Sequence, residues 1–381
     1  MQDAHTDGNV DLLFDARHIR QSGIGTYIRT QLPLLEEAAA GRGVSLAVLG
    51  DRESLPPLRA STEVVVASPT GAAMYTVAEQ VAWRRALDQV RPRALWLPHY
   101  PFPLANWAPD NRQMLTYVTL HDAIQVLPWE VSGQSRARRI YARAMMKLDA
   151  RVCRRIFTPS EATATTLQSI APKARVMVTP IPVDEVWFEP ADPTLVPVSG
   201  PYLLYVGNTK RYKNLPIMLE AFADIAATVP HTLVIAGGGA SLRTLDDRVR
   251  RLAEDNGDRI VLMGQLAFDT LRALVGSADA LIMPSLHEGA GLPPLEAMAA
   301  RTAVLSSDIP VLRETCGAGA DYFGPRDRAG LAHAMGTMCL NTEARTELAA
   351  RGHSYVTDRQ RGISASLAAE EICAELASIR S

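Results

Sequence analysis

The sequence has little cysteine, and what it has is scattered. Cys153, Cys316, Cys339 and Cys373 form no C-x-x-C pair and no Cys/His ligand spacing. That excludes a disulfide scaffold and a zinc ribbon, and unpaired thiols in a reducing compartment are expected. Apolar runs are short. None approaches the roughly 18 consecutive residues that a membrane-crossing helix needs. The opening MQDAHTDGNVDLLFDA lacks a basic cluster followed by an apolar core, so no signal peptide is expected and a cytoplasmic chain is. Net charge is nearly absent too: 39 basic against 41 acidic residues give −2, which supplies no general drive toward nucleic acid. There is no G-x-S-x-G elbow, which counts against a Ser/His/Asp hydrolase, no D-x-D triplet, and no repeat at a solenoid period. Lysine occurs only at positions 147, 173, 210 and 213, so nearly all the basic charge is arginine.

What is present reads as an ordinary globular chain. Hydrophobic residues make up 47% and charged residues 21% of the 381, a length that favours two domains. Short β-rich runs at 10–14, 44–49, 63–67, 94–98, 114–120, 154–158 and 175–178 alternate with helical patterns such as 25–40 and 78–89. The alternation predicts βαβ units and parallel sheets. Six prolines within 179–201 mark a linker. Alternation then resumes, with strands at 202–206, 232–236, 260–263, 280–283 and 303–306. Helices are expected near 215–227, 242–255, 269–277 and 295–300, and a last one over 363–380. The expected organisation is an α/β chain with two Rossmann-like doubly wound domains facing a central cleft. The first spans 1–190 and the second 191–362, with a C-terminal helix at 363–381.

Several stretches carry chemistry. In Leu281–Ala300 a strand ends at Pro284, a glycine-bearing loop follows, and Pro293 and Pro294 open a helix, where a missing N–H is no loss. Gly289 and Gly291 let backbone N–H groups approach an anion beside a helix N-terminus. Glu288 and Glu296 lie eight residues apart in this run. A carboxylate accepts two hydroxyl donors, so such a pair suits polyols, a ribose at one end and a sugar at the other. Either glutamate alone reads as easily as a solvated loop acid or a dipole partner. Lys210, Arg211 and Lys213 put three cations into one strand-to-helix loop, a fit for a diphosphate or simply a solvated basic turn. Together with the absent D-x-D, they predict that protein cations rather than a metal neutralise a departing diphosphate. His121-Asp122 follows a strand end, either as a hydrogen-bonding imidazole or as a loop pair. Gly23 and Gly25 sit after the first strand without the third glycine of a dinucleotide fingerprint. Gly237-Gly238-Gly239 reads as a turn, and Gln265 lies in a plausible base-contact loop. In 134–155, Arg139, Arg143, Lys147, Arg151 and Arg155 recur every four residues beside an apolar stripe of Tyr141, Met145, Leu148 and Val152. This basic amphipathic helix is either an ordinary packed helix or a rest for anionic lipids.

Glu288-Gly-Ala-Gly-Leu-Pro-Pro-Leu-Glu296 resembles the E-x7-E signature of the GT4-type retaining glycosyltransferases, whose fold is GT-B. Ser22–Tyr27, Thr119–Asp122, Phe157–Ser160, Val206–Leu215 and Ser307–Glu314 match in order and spacing. The resemblance implies a transferase that binds a nucleotide sugar in the second domain and an acceptor in the first, with no metal and no further cofactor. It implies catalytic roles for His121, Glu288, Arg211 and Lys213, with Lys213 on the donor phosphates and His121 near the sugar. Gly23, Gly25, Gly207, Asn208, Gln265, Gly289, Ala290, Gly291, Leu292 and Glu296 would complete the donor site. Asn208 stands where many members carry arginine, and Arg211 is the candidate replacement. The resemblance is greatest to bacterial mannosyltransferases, so GDP-mannose is the expected donor and a glycan or polyprenol-linked molecule the expected acceptor. A UDP-sugar donor stays open, as does a nucleotide-sugar epimerase. An NAD-dependent oxidoreductase is disfavoured by the missing third glycine. A peripheral position on the inner face of the cytoplasmic membrane through 134–155 is a further expectation.

Overall fold

In the computed structural model, residues 10–21, 23–74, 76–100, 103–237 and 247–380 are described, and they form two compact units. The first unit takes residues 1–123, 137–181 and 364–381, and the second takes 124–136 and 182–363. The main division therefore falls between Ile181 and Pro182 rather than at 190. Hydrogen bonding explains the difference. The side-chain amide of Gln360 donates to the Val183 carbonyl at 2.8 Å and accepts the Val183 N–H at 3.0 Å, which ties the proline-rich stretch to the second unit. Residues 124–136 also depart from the expected grouping. The short helix Trp129–Ser132 packs on the turn Arg211–Lys213, with the Arg211 guanidinium 4.2 Å above the Trp129 ring.

The first unit holds seven strands: β1 (Leu12–Asp15), β2 (Leu46–Gly50), β3 (Glu63–Val66), β4 (Ala94–Leu97), β5 (Leu115–Thr119), β6 (Arg155–Thr158) and β7 (Val176–Val178). They lie in the order β3-β2-β1-β4-β5-β6-β7, every pair parallel. Each residue of β1, β2 and β4 is buried, as expected for parallel strands covered on both faces. Phe14, Trp96 and Phe157 pack on one another in tilted and edge-on pairs, with ring centroids 4.9 and 5.9 Å apart. The second unit holds β8 (Tyr202–Val206), β9 (Thr232–Ala236), β10 (Ile260–Gly264), β11 (Ala280–Met283), β12 (Ala303–Ser307) and β13 (Asp321–Phe323), ordered β10-β9-β8-β11-β12-β13 and again all parallel. The edge strand β13 and the long helices Arg328–Leu340 and Thr342–Arg361 go beyond the pattern read from sequence.

In each sheet the order reverses at one place, between β1 and β4 in the first unit and between β8 and β11 in the second. Ligands of open parallel sheets bind beyond the strand C-termini at such switch points. The helix Leu367–Arg380 belongs to the first unit and packs on the helix Ile24–Arg42. There Glu375 accepts from the Tyr117 hydroxyl at 2.7 Å and pairs with Arg154, while Glu371 pairs with Arg155 at 2.8 Å.

The helix Arg136–Val152 differs from its expected register. Its buried face is Ala142, Met146 and Asp149, whereas Tyr141 and Val152 are exposed and Met145 and Leu148 are half-buried. The apolar stripe picked out by spacing is thus not the packing stripe. The two are offset by one position. Among the described residues no helix is long and apolar enough to cross a membrane.

Candidate functional site

In the second unit, the loops after β8 and β11 flank the switch point and are stapled together. Asn214 adopts a left-handed conformation, φ 57°, and its side-chain amide donates to the carbonyls of Pro284 at 3.1 Å and Pro325 at 2.9 Å. The Leu286 N–H donates to the Tyr212 carbonyl at 2.7 Å. Within the first loop the Tyr205 hydroxyl donates to the Asn208 carbonyl at 2.6 Å, and the Asn208 side-chain oxygen accepts the Lys210 N–H at 3.1 Å. Asn208 therefore shapes the loop that carries the three cations.

This framework brings Lys213 and Glu288 together. Lys213 Nζ lies 2.7 Å from Glu288 Oε1, and the same oxygen accepts the Ser285 hydroxyl at 2.5 Å. Both side chains are buried. Burying two charges is costly unless they pair and hydrogen-bond. Here both bonds fall on Oε1, which leaves Oε2 for another donor. Arg211 is exposed, has no carboxylate partner among the described residues, and is held flat by Trp129.

Gly291 precedes the helix Leu292–Ala299 with φ 66°, and a Cβ there would stand 2.7 Å from Leu312 Cδ2. Only glycine fits that turn. It orients the backbone of Gly289, Ala290 and Leu292 at the helix start. Glu296, one turn into the helix, is half-buried, and its side chain makes no hydrogen bond or ion pair with a described residue. Burial, with a contribution from Asp184, pushes its carboxyl up to about 7.

The remaining expected donor residues spread along the strand ends. Gly207 and Gly237 close β8 and β9, and a Cβ on Gly237, φ 107°, would lie 2.5 Å from the Gly207 carbonyl. Gly238 and Gly239 lie outside the described residues. Gln265 is exposed after β10, two strands away from β8.

In the first unit, Gly23 opens the helix Ile24–Arg42 with φ 75°, and a Cβ on Gly25 would collide with the Ile19 carbonyl. Ser22 lies outside the described residues. His121 follows β5, with its ring 4.8 Å edge-on from Tyr27 and Nε2 2.8 Å from the Pro98 carbonyl. A carbonyl only accepts, so Nε2 carries the proton and Nδ1 presents a lone pair. Burial lowers the His121 pKa, against the opposing pull of Pro98 and Asp122. The ring is therefore neutral near pH 7.

Spacing arguments missed a second cluster at the first switch point. Asp15 accepts from Arg17 at 2.9 and 2.6 Å and from the Trp83 indole at 2.8 Å. Glu79 accepts from His99 at 3.0 Å and lies 3.6 Å from Arg17. Ligand atoms of His18, Glu79 and His99 fall within 4.8 Å of one another, a grouping able to hold a metal ion. Arg17 already supplies a cation beside Glu79, which weakens the case for one. The signal was thin: two charged residues directly after a strand, and partners more than sixty positions away.

Residues 191–354 match the family of glycosyl transferases group 1. This stretch, within the second unit, has the sequence of a glycosyl transferase group 1 domain. Around it, the chain is similar to the O-antigen chain mannosyltransferase RfbU of Salmonella typhimurium, at 28% identity over 63% of this chain and 64% of that protein. It thus spans under two thirds of that relative's length. The fold is that of sucrose-phosphate synthase from Thermosynechococcus elongatus, with TM-score 0.75 and 19% identity over 97% of this chain and all of that one. It is also that of HepE from Anabaena, solved with UDP and glucose, with TM-score 0.69 and 16% identity over 97% of this chain and 99% of that one. The group 1 domain contains Lys213, Glu288 and Glu296, and the two Rossmann-like units make the whole a GT-B fold.

Proposed function

We propose that the chain is a retaining, metal-independent glycosyltransferase that moves a hexose from a nucleotide sugar to a glycan or polyprenol-linked acceptor. Mannose from GDP-mannose is the preferred donor. The observation that supports this reading is the buried Lys213–Glu288 pair between the loops after β8 and β11, within the stretch that matches group 1 glycosyl transferases. In it, Lys213 and Arg211, with the N–H groups of Gly289, Ala290, Gly291 and Leu292, hold the diphosphate and stabilise the charge that develops as it leaves. Glu288 turns Oε2 to a hydroxyl of the sugar. Glu296 accepts the two ribose hydroxyls, and the neutral His121 accepts from a sugar hydroxyl through Nδ1. No side chain is assigned as nucleophile. The leaving phosphate itself takes the acceptor proton, in a front-face substitution that retains the anomeric configuration. An inverted product seen by NMR would refute it.

Similarity to RfbU supports mannose, whereas the likeness to HepE shows only the fold. Calorimetry with GDP, UDP and ADP decides among the bases. The nucleotide that binds at micromolar affinity should lose at least about 1.5 kcal/mol with Glu296→Ala. Binding should also strengthen as pH rises through about 7, where Glu296 ionises, because the carboxylate accepts two hydroxyls and the acid does not. Glu296→Gln should flatten that dependence. If all three nucleotides bind the alanine variant as they bind the wild type, the ribose assignment falls. Conversion of the donor alone, without acceptor, would favour an epimerase. Attachment to the inner face of the cytoplasmic membrane is proposed through the helix Arg136–Val152, whose exposed Arg143, Lys147 and Arg151 accompany exposed Ile140 and Tyr141.

A further inference from the structure

The opposite end of the first sheet from His121 carries a second concavity. It has a volume of about 430 Å³ and is walled by the three segments that lead into β5, β6 and β7. Arg112, Arg151, Arg154, Lys173 and Arg175 line it, and no carboxylate does. Arg154 is matched by Glu375. Arg112, Arg151, Lys173 and Arg175 have no carboxylate partner among the described residues, so four uncompensated cations share one hollow. Two acids lie nearby in sequence. Asp110, exposed two residues before Arg112, is not among the lining residues and forms no ion pair with them, and Asp149 is buried, where burial pushes its carboxyl up to about 8. The floor is formed by Thr116 and the buried Cys153.

Four like charges around one hollow repel each other, and an arrangement of this kind is relieved by a polyvalent anion. Guanidinium forks fit phosphoryl oxygens in bidentate fashion, and the volume is within the range of small-ligand pockets, about 300–1,000 Å³. We infer that this hollow is a phosphoryl-binding pocket, separate from the group 1 site, which takes a diphosphate or phosphomonoester group. The group comes either from a soluble phosphorylated molecule or from the headgroup of an anionic lipid. β5 runs from this pocket at Leu115 to Thr119, so the pocket and His121 lie at opposite ends of one strand and share neither a loop nor a side chain.

The test compares the full wild-type chain with Lys173→Gln/Arg175→Gln, two exposed positions whose replacement leaves the packed core and the group 1 site untouched. Inorganic pyrophosphate is titrated by calorimetry into both chains, and because the group 1 site is the same in each, the difference between the isotherms reads this pocket. The wild type should bind, and the double variant should lose at least about tenfold in affinity. Flotation with phosphatidylcholine vesicles, with and without phosphatidylglycerol, separates the sources. Loss of both pyrophosphate binding and flotation assigns a lipid headgroup, and loss of pyrophosphate binding alone assigns a soluble ligand. Equal pyrophosphate isotherms overturn the pocket, whatever the vesicles show, because flotation changes alone would reflect diffuse surface charge. Unchanged thermal melting checks that the variant is folded.

Discussion

Lys213→Met should cost the protein both stability and turnover. The substitution keeps the length of the stem but strands the Glu288 carboxylate, 7% exposed, with Ser285 as its remaining donor. Breaking a buried pair from one side typically costs about 3–5 kcal/mol. If the lysine also stabilises the departing diphosphate, sugar transfer should fall by roughly 10²–10³ at saturating donor. The double variant Lys213→Met/Glu288→Met separates the effects. Removing both charges should return much of the stability, since a buried pair replaced as a unit is often near neutral, while transfer stays low. Urea unfolding, followed together with a product assay, reads both. Wild-type turnover in a folded Lys213→Met chain would remove the lysine from the chemistry.

Asp15→Ala should damage the first unit comparably without touching the group 1 domain. Four N–H donors converge on Asp15, and the substitution leaves the Arg17 guanidinium, 3% exposed, without its strongest partner. A loss of about 3–5 kcal/mol follows from the same reasoning. Its pH dependence has a definite sign. Burial alone would raise the Asp15 carboxyl, but the charge and hydrogen bonds of Arg17 outweigh it and hold the group well below the ordinary carboxylate range. A depressed folded pKa contributes stability that is complete above the unfolded value of about 3.9 and drains away as pH falls toward the folded one. The gap between wild type and variant should therefore be constant near neutrality and narrow in acid. A gap that widens in acid would show that Asp15 is not the ionised partner.

Much of the fold is legible in the sequence because parallel sheets announce themselves. Every strand expected from an apolar run is present within a few residues, from Val10 to Ser307, since strands covered on both faces need uninterrupted apolar residues. The strand β13 escaped because Asp321 is exposed and only Phe323 is buried. The loop cations and glutamates of the group 1 site are likewise local in sequence, and spacing alone placed Lys213 and Glu288 as candidates. What spacing cannot convey is pairing across distant segments. Nothing at Trp129 signals that it will stack on Arg211, and nothing at Glu79 signals His99. The helix Arg136–Val152 shows a subtler limit. Its polar face is broad, so periodicity finds a stripe but not which of two adjacent stripes meets the sheet.

The grouping of residues 364–381 with the first unit bears on how the protein is made. On the ribosome, the strands β1 to β7 emerge long before the helix Leu367–Arg380, whose Ile372, Cys373 and Leu376 are buried. Until that helix arrives, Glu375 cannot meet Tyr117 or Arg154, and the flank of the helix Ile24–Arg42 stays uncovered. The second unit can thus finish folding while the first, begun earlier, still waits for its last piece. A nascent chain of this design exposes apolar surface on its first-made part until the whole second unit has been synthesised, which makes that surface a natural client for chaperones.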